Sequence, residues 1–213
     1  MSGTIILFFV LNLVISCFNA WSVGKSWAET KAVGGLPRFM AWCGAAMSAC
    51  GFTWCYLVIL CAINSAIPEA HRLPAKYMDA VFALGYLAIV LPVIGSGIAI
   101  TIQSWMIFWR ERTFVNGAIA GYNSFADIYN VYSAMDAIPD AFNIIGKAFD
   151  GDSDDDDDGK GKLLLIVVVL AVICVIAGAL TTTIIIRATA SGHATNQLDR
   201  AVIAKRAAAR ERA

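Results

Sequence analysis

The chain has 213 residues, no formal net charge, 59% hydrophobic residues and only 15% charged ones, whereas soluble domains carry about a quarter of their residues as charges. That balance, with a mean hydropathy of +0.68, excludes an ordinary soluble domain and points to an integral membrane protein. The zero net charge hides a division, because residues 154–158 are five aspartates while Arg200, Lys205, Arg206, Arg210 and Arg212 make the C-terminal tail basic.

The first apolar run, residues 4–20 (TIILFFVLNLVISCFNA), suits either a membrane span or a targeting signal. A signal peptide requires a basic start and small residues before its cut. Residues 1–4 hold no Lys or Arg, and Phe18 stands where a small residue is needed, so a retained span is expected. Val14, Ile15, Ser16 and Cys17 resemble a bacterial lipobox, also without the basic start. Asn12 and Asn19 are expected to hydrogen-bond to a neighbouring helix.

Residues 21–38 read as a connector with Lys25, Lys31 and Arg38, closed by the breakers Gly34, Gly35 and Pro37. The second run, residues 39–66, opens with Ala41, Gly44, Ala45, Ser48, Ala49 and Gly51. Gly44 and Ser48 form a small-xxx-small pair, which lets two helix backbones approach closely in lipid. This face is expected to pack on a helix of the same chain or of another copy. A short loop follows with Pro68, Pro74, Glu69, His71, Arg72 and Lys76.

The third run, residues 78–109, carries no charge between Asp79 and Arg110 and exceeds the roughly 20 residues needed to cross a bilayer core. Trp105, Trp109, Arg110 and Arg112 mark its end as a membrane interface. Pro92, Gly95 and Gly97 lie near its middle, and proline removes a backbone donor, so a kink or a break is expected there. Interrupted helices build the binding sites of several transporters, but no Asp, Glu, Lys or Arg lies in the interior of any span, which speaks against coupled transport.

Residues 113–149 change character. Phe125, Ile128, Tyr129, Tyr132 and Met135 recur at three- and four-residue steps, with Asn123, Asp127, Asn130 and Asp136 on other positions, the pattern of an amphipathic helix. Pro139 is expected to end it. Its polar positions are acidic, whereas helices that lie on anionic lipid are basic, so an extramembrane segment docking on a protein is expected. Residues 150–162 read as a disordered acidic linker. Asp150, Asp152 and Asp154 start like an EF-hand loop, but Asp155 stands at the glycine position and Gly161 at the final glutamate. The fourth span, residues 163–187, is continuous and β-branched, and the basic tail, residues 188–213, opens turn-like at SGHATNQ before a short helix.

The expected fold class is therefore an all-α integral membrane protein of four transmembrane helices with both termini on one side. Basic residues divide evenly between the two sides in that arrangement. Counting those near membrane ends, connectors one and three are assigned inside and both termini outside. All six cysteines lie within apolar runs, and the two histidines, His71 and His193, lie outside the spans, leaving no disulfide framework, zinc spacing or nucleophile–base pair. No phosphate loop, dinucleotide motif or metalloprotease motif occurs. No catalytic residue, cofactor, metal or nucleic-acid partner is expected.

The function expected from these residues is that of a non-enzymatic component of a larger membrane assembly, in a secretion or conjugation apparatus of a bacterial inner membrane or in a viral or phage membrane. Its partners are the lipid bilayer, other membrane or assembly proteins, or copies of itself. The alternatives are a homo-oligomeric pore, holin-like or channel-like, that associates through Gly44 and Ser48, and a passive transporter built on the Pro92 region.

Overall fold

The computed structural model describes residues 3–33, 35–150 and 157–210. Among them the chain forms five long helices, α1 (Gly3–Val33), α2 (Gly35–Ala66), α3 (Ala75–Arg110), α4 (Phe114–Asp150) and α5 (Asp157–Arg210), and one 3-10 turn at Glu69–His71. Four stretches, Gly3–Trp27, Gly35–Ala66, Ala75–Arg110 and Gly161–His193, are long and apolar enough to cross a membrane. Helices suit such sequences because they satisfy every backbone polar group within the segment.

Several boundaries differ from the sequence reading. Residues 21–33 continue α1 instead of forming a connector, and α2 already begins at Gly35, which adopts a φ of +60°. That left-handed backbone favours glycine. Pro37 falls in the first turn of α2, where its missing N–H has no intrahelical acceptor to lose. Pro92 lies within α3, which stays one uninterrupted helix. Pro139 likewise lies inside α4 and does not end it. Buried Ala134, Ala141 and Ala148 hold α4 against its neighbours on both sides of that proline, so packing outweighs the one lost hydrogen bond. The SGHATNQ segment is helical within α5. Of the acidic linker, residues 151–156 lie outside the described residues, and residues 157–162 belong to the start of α5.

Side-chain contacts give the helix directions. Phe9 with Cys55, Ser16 with Ser48 and Val23 with Gly44 run α1 antiparallel to α2. Leu57 with Gly85 and Cys50 with Ile89 run α2 antiparallel to α3. Tyr77 with Phe149, Thr101 with Asp127 and Phe108 with Gly117 run α3 antiparallel to α4 along nearly the full length of both. Leu57 clustered with Cys174, Ala49 against Gly178, and Ala41 clustered with Ile186 set α5 antiparallel to α2. Helices α1, α3 and α5 therefore point one way, and α2 and α4 the other.

Two clusters close the bundle. At the end where α3 and α5 begin, Leu57, Tyr77, Val81, Ala148, Val167 and Cys174 pack together. Toward the other end, Ala20, Val23, Ala41, Phe52 and Ile186 do the same.

Candidate functional site

The α3–α4 seam carries a run of polar side-chain contacts between the two helices. α4 starts at a cap, with Thr113 Oγ1 accepting the backbone N–H of Asn116 at 3.2 Å, the usual way a threonine satisfies an orphan donor. From there Ala120, Asp127, Ala134, Ala141 and Ala148 recur every seven residues. The four alanines are at most 4% exposed and form the packing line of the helix. Asp127 takes the one place in that line where an alanine is missing, and it fits because α3 presents Gly97 opposite: a Cβ on Gly97 would collide with the carboxylate.

The carboxylate accepts a hydrogen bond from Thr101 Oγ1. One turn along, Asn123 Nδ2 donates to Ser104 Oγ at 2.6 Å, and Ser104 donates onward to the carbonyl of Ile100 at 2.8 Å. Trp105 Nε1 donates to Ser124 Oγ at 2.9 Å. These interhelical bonds fix the rotation of α4 on α3. Beside them lies an open groove of about 500 Å³ lined by Ile98, Thr101, Ile102, Asp127, Val131 and Tyr132, among others.

Over residues 114–135 the polar groups of α4 turn inward and its large side chains turn out, while Asp136, Asp140, Asn143 and Lys147 farther along are exposed. Phe125, Ile128, Tyr129, Tyr132 and Met135, the docking residues expected from the sequence, are 63–71% exposed and share one face. Those expected at a close helix contact lie between helices of the same chain. Ser48 is fully buried, donating to the carbonyl of Ser16 at 2.8 Å and lying 3.2 Å from Thr182 Oγ1. Gly44 faces Val23 and Gly51 faces Ser16, while Ala41 is buried and Ala45 and Ala49 are half-buried in the groove beside α5. Gly178 supplies the matching approach from α5, since a Cβ there would come within 2.7 Å of the Ala49 carbonyl. Of the expected kink residues, Gly97 is buried against α4, whereas Pro92 and Gly95 are exposed.

The sequence pattern separates Asn123 and Asp127 from the apolar positions of α4 but gives no partner for them, and nothing in it marks Thr101 or Ser104. The available signal was the seven-residue alanine series, which marks the inner face of α4 and places Asp127 on it. The six cysteines are free, His71 and His193 lie at opposite ends of the bundle, and among the described residues no three His, Cys, Asp or Glu side chains converge. No protein-family model matches the chain, and comparison with curated proteins and with solved structures finds no match.

Proposed function

We propose that the protein is a non-enzymatic, multi-pass component of a larger membrane assembly, and that it meets a protein partner through the outward face of α4. The observation that carries this reading is the exposure of Phe125, Ile128, Tyr129, Tyr132 and Met135 as one continuous surface. Aromatic and methionine side chains are the types enriched at the centres of protein interfaces. The aromatic ones also present large contact areas at low conformational cost. A secretion or conjugation apparatus in a bacterial inner membrane, or a viral or phage membrane, is the setting proposed for that assembly.

The test is site-specific photocrosslinking in the native membrane, with the photoreactive residue at Tyr129 and, as a control, at Leu91, which is 70% exposed on α3. The proposal expects a discrete protein adduct from Tyr129, absent from Leu91, that disappears in Phe125→Ala/Tyr132→Ala. Equal crosslinking from both positions, or only lipid adducts from Tyr129, counts against it.

A further inference from the structure

The helix directions carry a consequence that hydropathy does not. Both α3 and α5 run antiparallel to α2, so they cross in the same direction, and a chain that has crossed once along α3 must return before it can cross again along α5. Only α4 lies between them. Its 37 residues make a rod of about 55 Å, and it occupies both levels: Gly117 lies against Phe108 at the far end of α3, while Ala148 joins Tyr77 and Val167 at the end where α3 and α5 begin. The six residues 151–156 reach only about 20 Å even when extended, short of a hydrocarbon core of about 30 Å.

We propose that α4 is a fifth membrane-crossing helix whose outward face is covered by lipid hydrocarbon. This goes beyond the proposed function: a partner would meet α4 inside the bilayer, replacing lipid, and the crossing stands with or without one.

Two further observations support it. Between Arg112 and Asp136 the only charged residue is Asp127, and throughout residues 114–135 every exposed position is apolar, aromatic, alanine or glycine. Asn116, Asn123, Ser124, Asp127, Asn130 and Ser133 are all half-buried. An amphipathic helix in water shows the reverse. In hydrocarbon, polar side chains turn toward neighbouring helices, and an ionisable one faces the bundle interior.

The second observation is charge. Four crossings divide the 16 Lys and Arg evenly. A fifth crossing moves Arg187 and the basic tail to the side of Lys25, Lys31, Arg38, Arg110 and Arg112, and moves Lys147, Lys160 and Lys162 to the side of Arg72 and Lys76. Eleven of the 16 then share one side, the asymmetry expected of a cytoplasmic face. The aspartate run falls on the opposite side, together with the start of α1.

The test needs no substitution. Sealed vesicles of each orientation are treated with a membrane-impermeant amine reagent, and labelled lysines are identified by peptide mass spectrometry. Lys25, Lys76, Lys147 and Lys162 are all exposed in the bundle. Five crossings predict that Lys76, Lys147 and Lys162 label from one face and Lys25 from the other. Labelling of Lys147 and Lys162 together with Lys25, and opposite Lys76, overturns the proposal. Neither outcome depends on a partner, so a failed crosslink at Tyr129 and a failed crossing are distinguishable.

Discussion

At Gly178 the backbones of α2 and α5 come so close that a methyl group would meet the carbonyl of Ala49 and the amide of Thr53, both at 2.7 Å. Backbone cannot swing aside as a side chain can, so Gly178→Ala is expected to destabilise the bundle by about 1–3 kcal/mol, the cost of overpacking a well-filled interior. Gly95 has nothing within 4 Å of its Cβ position. Gly95→Ala is therefore expected to be neutral or to stabilise by up to about 1 kcal/mol through helix propensity. Unfolding of both variants by a denaturing detergent, followed by circular dichroism, checks the contrast. Ser48→Ala removes a buried bond that joins α2 to the Ser16 carbonyl. In membrane proteins such bonds contribute about 0.6 kcal/mol on average and at most about 1.7, so this variant is expected to lose less than Gly178→Ala in the same titration. The spacing of Gly44 and Ser48 made a close contact legible in the sequence. Which helix filled it was not, because Val23, Ser16 and Thr182 come from segments 21 to 134 positions away, and no local pattern encodes that distance.

Among the elements, α4 is where sequence and structure part most instructively. Its three- and four-residue periodicity was legible, and the residues it groups, Phe125, Ile128, Tyr129, Tyr132 and Met135, are exposed on one face. The sense of that face was not legible, because amphipathicity states only that two faces differ; which one is buried depends on whether water or hydrocarbon lies outside. The seven-residue alanine line settles the inner side, since small residues pack where helices meet. Substitution on the outer face separates the two environments. Ile128 is 69% exposed, and Ile128→Arg in water would change little, whereas at the centre of a crossing helix arginine costs about 2.5–3.5 kcal/mol of insertion free energy. The variant is expected to lose the labelling of Lys147 from the face shared with Lys76 in part of the population. Helix ends were less legible than helix existence. Residues 21–33 and SGHATNQ are polar enough to suggest loops, but flanking helix propagates through them at one added hydrogen bond per residue, and among the described residues the positive φ falls at Gly35, where α2 begins.

For the whole molecule, hydropathy identified four apolar helices and stopped there, because a helix that carries its polar groups against a neighbour scores as too polar for lipid. Four crossings leave the basic residues evenly divided, whereas the fifth crossing proposed for α4 gathers 11 of the 16 on one face. An odd number of crossings places the two ends of this chain on opposite faces. The most direct measurement is protease protection of short epitope tags fused before Met1 and after Ala213, each in sealed vesicles of known orientation. Five crossings predict that one tag is digested and the other protected, exchanging roles when the vesicles are inverted, with the C-terminal tag on the cytoplasmic face. Digestion of both tags from the same face would contradict the account and return α4 to the outside of the membrane.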